Sequence, residues 1–255
     1  MKVKGERFSL HFNLYTLTFT LYANIAMRNV LVLMIAILVC TLVGCSQSYH
    51  WTKSHPAYHK APYGELAVAG VQDAFVLTRT SWFAKRLDFG DSTQIKSTEF
   101  CAQIMLDELR GGYSKLNVLS EKVLAGFPEE SQKLDDRIFM KGKLPEQGVV
   151  VKDSAGKVPP EILMIHEVIV GTDLKREDYF DYALIHNESQ EKSVVQNISA
   201  IVSYTLWDNL KQRPLFSAVD EIQHPIVKFS LQDLELLVRA SVRQIRSNLY
   251  TGVNK

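Results

Sequence analysis

The hydrophobic pattern of this 255-residue chain changes at about residue 44. Residues 30–43 form a run of 14 residues without a charge, preceded by Arg28. A helix that crosses a bilayer needs about 20 apolar residues, whereas a run of about 10–14 fits the apolar part of a signal peptide. Beyond residue 44 the apolar positions follow strand and helix periods. The pattern therefore predicts a signal peptide followed by a folded domain.

Five apolar segments of the domain predict strands, and two amphipathic segments predict helices. The strands are expected within 65–77, at 115–120, at 162–170 and at 197–207, with 214–219 as the hairpin partner of the last. One helix is expected to start at an N-cap, Thr98, and to stop at Gly111. The last helix has the capping-box pair Ser230 and Asp233. A short helix is also expected over 129–138. These elements predict an α/β (α+β) fold with a single mixed sheet and amphipathic helices packed on it.

A tether is predicted between the signal peptide and the domain. Residues 45–64 show neither period and contain Pro56, Pro62 and Gly64. A flexible coil of this length spans roughly 25 Å. Three histidines lie in this segment, at 50, 55 and 59. We do not expect them to bind a metal, because metal binding needs ligands held in a fixed geometry. The domain would then cover residues 65–255.

The apolar run ends in Leu42-Val43-Gly44-Cys45, which resembles a bacterial lipobox. The resemblance implies that the Cys45 thiol is acylated and that the chain is cut before Cys45, so that 1–44 is a signal peptide. Translation from Met27 would leave a leader of ordinary length. Ser46 resembles the residue that directs lipoproteins to the outer membrane of Gram-negative bacteria, with the domain facing the periplasm. An uncleaved membrane anchor is the alternative interpretation.

The charge balance argues against nucleic-acid binding, and the cysteine content leaves one free thiol in the mature chain. The chain has 29 basic and 28 acidic residues. Removal of 1–44 takes away four basic residues and one acidic residue, which leaves 25 against 27 and a net charge of −2. This balance gives no electrostatic case for nucleic acid as a partner. Once Cys40 is removed and Cys45 is acylated, Cys101 is the remaining cysteine, and its helical position predicts a small buried side chain.

No known catalytic motif is found, so no catalytic, cofactor or metal residues are predicted. His166 and Glu167 interrupt the apolar strand 162–170, and neighbours on a strand are expected to point to opposite faces. The acidic pairs 129–130, 135–136 and 220–221 lie among polar or turn residues and are interpreted as solvated surface. The basic side of the last helix, with Arg239, Arg243 and Arg246, is interpreted as the solvated face of a docked helix.

The order of elements resembles the α/β domain of the curli-secretion lipoprotein, the Tol amino-terminal domain and the lipoprotein activators of peptidoglycan synthases. The matching segments are 165–171, 203–216 (SYTLWDNLKQRPLF) and 234–249. The resemblance implies a non-enzymatic envelope scaffold whose partners are the membrane, through its lipid, and other envelope proteins or its own copies. One alternative is a subunit of an outer-membrane secretion channel, with 71–80 and 179–186 as candidate spanning strands. Another is an envelope hydrolase, for which His166 and Glu167 would be tested first.

Overall fold

A mixed sheet of seven strands forms the centre of the domain. The computed structural model describes residues 47–60, 65–120, 122–134, 139–172 and 197–250. The chain divides into two units, Met1–Cys45 and Ser46–Lys255, and all described residues belong to the second. The strands of the sheet are β1 (Gln47–Ser54), β2 (Glu65–Ala69), β3 (Phe75–Leu77), β4 (Lys115–Val118), β7 (Glu161–Thr172), β8 (Asn197–Asp208) and β9 (Arg213–Pro225). A separate hairpin consists of β5 (Glu129–Lys133) and β6 (Phe139–Lys143).

The strand order is β1-β9-β8-β7-β2-β4, and β3 also pairs with β7. Strands β1, β9, β8 and β7 are antiparallel to one another, whereas β2, β3 and β4 run parallel to their neighbours. The long apolar runs of β7 and β8 lie at the centre because strands covered on both faces contain few polar residues. The predicted fold class, a single mixed sheet with helices packed on it, is confirmed.

Two long helices cover one face of the sheet. They are α2 (Thr93–Arg110) and α4 (Leu231–Leu249); the short helices are α1 (Thr80–Ala84) and α3 (Lys122–Ala125). Helix α4 begins with the predicted capping box, in which the side chains of Ser230 and Asp233 each contact the backbone of the other. Its apolar stripe, which includes Leu234, Leu237 and Val242, is buried against the sheet. Helix α2 ends at Arg110 with Gly111 as its C-cap, in agreement with the predicted stop at Gly111.

The second face of the sheet is covered by the segment between β4 and β7. Leu124 and Val151 pack there against Ile162 and Met164 of β7. The hairpin β5–β6 adds Met140, which packs against Ile201 and other residues of the central strands. This hairpin sets the surroundings of His166.

The prediction of a tether without regular structure over 45–64 is wrong for Gln47–Ser54. This segment is β1, an edge strand in register with β9, with Trp51 opposite Val219. The segment lacks apolar alternation because an edge strand remains partly solvated and gains its stability from backbone pairing. Trp51 packs on the apolar cluster that contains Ile201 and Val219.

One predicted helix start and one predicted helix are also wrong. Helix α2 starts at Thr93, five residues before the predicted cap Thr98, because the buried Thr93 and Ser97 extend its inner stripe by one turn each. The helix predicted over 129–138 is replaced by β5, since pairing with β6 outweighs the intrinsic helix propensity of Glu, Gln and Lys. Residues 135–138 lie outside the described residues.

Of the two candidate spanning strands, 71–80 contributes only β3, which pairs with β7 inside the domain sheet. Residues 179–186 lie outside the described residues. Among the described residues, no helix has the length and apolarity needed to cross a membrane.

Candidate functional site

A bulge in β7 places His166 and Glu167 on the same face of the sheet, which corrects the prediction that they point to opposite faces. Ile165 pairs with Tyr204, but the next paired residue is Glu167, which lies opposite Ser203. His166 is therefore an extra residue on its strand, and the alternation of side chains shifts by one position there. Both side chains lie on the face away from α2 and α4.

A cavity of about 300 Å³ lies beside this bulge. It forms because β2 pairs with β7 as far as Met164 and β3 resumes pairing at Val168, which leaves the stretch between them without a parallel neighbour. The chain turns away from the sheet at Gly70, whose φ is +83°. A Cβ at Gly70 would lie 2.3 Å from the carbonyl oxygen of Ile165, so only glycine fits this turn. The polar side chains that line the cavity are Asp73, Glu129, Lys141, Lys143, His166 and Glu167.

The hairpin β5–β6 lies directly on the imidazole of His166. A Cβ at Gly142 of β6 would lie 2.6 Å from the Cγ and Cδ2 atoms of the ring. Burial lowers the pKa of His166 to about 4, so that the ring is neutral at neutral pH. Its Nε2 atom lies 2.9 Å from Oγ1 of Thr205, which in turn lies 3.1 Å from Oγ of Ser217.

This imidazole–hydroxyl pair has the residue types of an activated nucleophile but not the access that one needs. A nucleophilic hydroxyl must reach a substrate atom, whereas Thr205 is 0% exposed and lies beneath β6. The Nδ1 atom of His166 is also enclosed and has no hydrogen-bond partner among the described residues. The pair links β7 to β8 beneath the hairpin, where Oγ1 of Thr205 also lies 4.0 Å from Sδ of Met140.

Glu167 is the half-buried carboxyl of the cavity, whereas Asp73 and Glu129 are exposed. Its pKa is raised mainly by burial and further by the neighbouring Glu129, while Lys141 opposes both effects. A half-buried carboxyl beside two lysines, at 141 and 143, gives the rim of the cavity mixed charge.

A second buried polar cluster was missed by the sequence reasoning. Asp220, interpreted as solvated surface, is completely buried in β9, and Glu221 is buried as well. The Tyr204 hydroxyl donates to Asp220 Oδ2 at 2.8 Å, and Asn248 of α4 donates from Nδ2 to both carboxylate oxygens at 3.1 and 3.2 Å. Burial raises the pKa of Asp220 to about 7, although both hydrogen bonds act in the opposite direction. Its burial could have been predicted from the sequence, because Asp220 lies two and four residues after Ala218 and Phe216, and alternate residues of a strand share one face.

The remaining predicted residues have separate positions. Glu129 and Glu130 are exposed, as expected, and 135–136 lie outside the described residues. Cys101 is buried, and burial raises its thiol pKa to about 12, which confirms its interpretation as a small apolar side chain. The lipidation residue Cys45 lies outside the described residues. In the parts of the chain that the structure describes, no group of three or more His, Cys, Asp or Glu side chains could hold a metal ion.

The arginines of α4 divide between solvent and helix contact. Arg243 is exposed, as predicted for a solvated face. Arg239 instead forms a salt bridge with Glu108 of α2, and the guanidinium of Arg246 lies 3.9 Å from the same carboxylate. These contacts connect α4 to α2, so two of the three arginines contact the neighbouring helix instead of forming a purely solvated face.

The domain thus belongs to the class of α/β proteins with one mixed sheet and two long helices on one face. No protein-family model matches the chain, and no curated protein matches it. Among solved structures, the PelC dodecamer from Paraburkholderia phytofirmans is 13% identical, with a TM-score of 0.36, and the match covers 81% of this chain and 99% of that one. A dodecamer of a PelC point variant from the same organism is 10% identical, with a TM-score of 0.32, and the match covers 81% and 100%. At these scores neither match assigns a function or an assembly to this chain.

Proposed function

We propose that this chain is a non-enzymatic, lipid-anchored protein of the bacterial envelope that acts as a binding or assembly scaffold on the periplasmic side of the outer membrane. The observation that carries the proposal is the lipobox-like Leu42–Cys45 at the end of an apolar run of signal-peptide length. Ser46 supports the outer membrane as its destination.

The position of β1 supports a scaffold held close to the membrane. Gln47, the first residue of β1, is two residues after Cys45. The folded domain would then follow its acyl chains almost directly, and binding surfaces on the sheet would be held near the leaflet. Each acyl chain contributes about 0.8 kcal/mol per buried methylene, so two or three chains anchor a protein stably.

Two edges of the sheet support a binding role. Within the described residues, β4 pairs only with β2 and β1 pairs only with β9. An edge strand offers backbone N–H and C=O groups to a strand of another molecule. Val118 at the end of β4 adds an apolar side chain that is 40% exposed.

The absence of catalysis is part of the proposal and is supported by the enclosure of Thr205 and of Nδ1 of His166. A hydrolase based on His166 would need its imidazole to take a proton from a nucleophile that meets the substrate. Glu167→Gln and His166→Gln are therefore expected to leave partner binding intact. His166→Gln is expected to lower only stability.

The experiment that tests the proposal combines acyl labelling, membrane fractionation and photo-crosslinking in cells. The wild type and Cys101→Ala are expected to incorporate the acyl label and to fractionate with the outer membrane, whereas Cys45→Ala is expected to lose both properties. A photo-reactive residue in place of Val118 is expected to crosslink to an envelope protein or to a second copy. The same residue in place of Ile95, an exposed position on α2, serves as control. An unlabelled wild-type protein free in the periplasm would refute the anchor.

A further inference from the structure

We propose that the end of the domain where β9 leads into α4 lies against the phospholipid surface that anchors the chain. We call this end the β9–α4 patch and define it as Trp82, Arg86, Val227, Lys228 and Phe229. The inference rests on the proposed lipidation of Cys45, and it adds a surface that positions the domain on the membrane.

The topology puts the patch at the anchored end of the sheet. Gln47, at the start of β1, lies opposite Gln223, close to the end of β9. In extended chain, two residues from Cys45 to Gln47 span at most about 7 Å, and four from Gln223 to Val227 span at most about 14 Å. Strand β1 therefore begins at the end of the sheet where β9 leads into the β9–α4 turn, and an acyl chain on Cys45 would be attached two residues before that end.

The apolar part of the patch consists of one exposed side chain and two partly buried rings. Val227 is 108% exposed. Close to it in the chain, Phe229 packs on Trp82 with ring centroids 5.0 Å apart, and both rings are only partly buried. Tryptophan is favoured where apolar and aqueous surroundings meet, because its ring is apolar and its N–H is polar. An exposed valine two residues before the phenylalanine of this pair fits the boundary between headgroups and acyl chains.

The charges around these side chains match a phospholipid surface. The Arg86 guanidinium lies 4.1 Å above the centroid of the Trp82 ring. Arg86 and Lys228 are both exposed, and so is the carboxyl of Asp88, two residues after Arg86. Basic side chains that flank apolar ones are attracted to anionic headgroups while the apolar side chains enter the interface. The patch thus combines both contributions at the end of the domain where the anchor enters.

The opposite end of the sheet provides a matched control. The turn between β8 and β9 contains Leu210, which is 65% exposed, followed by Lys211. Val227→Asp/Lys228→Glu and Leu210→Asp/Lys211→Glu therefore make the same change of apolarity and charge at the two ends. Only the first is expected to alter contact with lipid.

The test uses the mature lipidated protein in vesicles of phosphatidylethanolamine and phosphatidylglycerol, with and without bromine on the acyl chains. The fluorescence of Trp82 in each protein is obtained as the difference between that protein and the same protein with Trp82→Phe. Bromine is expected to quench most of this fluorescence in the wild type and in Leu210→Asp/Lys211→Glu. In Val227→Asp/Lys228→Glu we expect the quenching to be lost while the protein still floats with the vesicles.

Two results would overturn the inference while leaving the anchor intact. One is an unquenched Trp82 in wild-type protein that carries acyl label and floats with the vesicles. The other is an equal effect of the two double variants. Wild-type protein that neither carries label nor floats would overturn the proposed function, and with it the membrane contact of the patch.

Discussion

Asp220 is expected to make the stability of the domain depend on pH in a direction opposite to that of a salt-bridged aspartate. Its carboxyl is buried between Tyr204 and Asn248, and burial raises its pKa from 3.8 to about 7. The native state therefore holds the proton more tightly than the unfolded chain does. The stabilisation is complete below pH 3.8, declines as the pH rises, and is lost above about pH 7.

The size of this effect follows from the shift of the pKa. Each unit corresponds to about 1.4 kcal/mol, so a shift of about three units gives about 4 kcal/mol between pH 4 and pH 8. Asp220→Asn removes the titrating group and keeps a side chain of similar size. The free energy of unfolding of the wild type minus that of Asp220→Asn is expected to fall by about this amount over the range.

The assay is urea unfolding of residues 46–255, followed by fluorescence at pH 4, 5, 6, 7 and 8. Other carboxyls titrate in both proteins and cancel in the difference. Tyr204→Phe removes a hydrogen bond that favours the carboxylate, so it should move the fall of the difference to higher pH. A difference that stays constant within about 1 kcal/mol from pH 4 to pH 8 would refute the reasoning.

Three further predictions follow from the packing. Gly142→Ala brings a Cβ against the imidazole of His166 and is expected to lower the free energy of unfolding by about 1–3 kcal/mol; Gly126→Ala, with no atom within 4 Å of the new Cβ, is the control and should change it little. Glu108→Gln removes the carboxylate between α2 and α4 and is expected to cost about 1 kcal/mol at low salt and less at 1 M salt; an equal cost at both salt concentrations would contradict an ionic origin. Cys101 is expected to react with a maleimide only as fast as the domain opens, so its labelling should accelerate with urea. Rapid and complete labelling of the folded protein would show that the thiol is not enclosed.

The strands and the helix that were predicted correctly are those whose hydrophobic pattern matches their burial in the structure. Strands β7 and β8 are buried at most positions and contain the apolar runs 162–165, 168–170 and 200–202, which are typical of strands buried on both faces. Helix α4 combines a capping box with an apolar stripe at the helical period. In these elements local preference and tertiary packing favour the same structure.

The elements that were missed depend on pairing with distant parts of the chain. Strand β1 is polar and becomes a strand only because β9 offers it an edge. Strand β5 has a helical composition and is held as a strand by β6. The first turn of α2 was missed because Thr93 and Ser97 are polar residues on a buried stripe. No local period distinguishes these segments from loops.

In the candidate site, too, some features follow from the local sequence and others depend on pairing with distant parts of the chain. The interruption of an apolar strand by His166 and Glu167 was visible in the sequence, but the bulge that turns both to one face depends on the pairing of β7 with β8. Coverage of the imidazole by Gly142 depends on the hairpin. The burial of Asp220 was readable from its phase on β9, and it was missed because its neighbour Glu221 made the pair look like surface.

The measurement that tests the central claim most directly is mass spectrometry of the N-terminal tryptic peptide of the protein isolated from membranes. A lipidated mature chain is expected to give residues 45–53, with the acyl mass on Cys45 and no residues before it. An uncleaved anchor would instead give residues 29–53 with an unmodified Cys45, because trypsin would cut after Arg28. The second peptide as the main product would contradict lipid anchoring and, with it, the scaffold proposed for this domain.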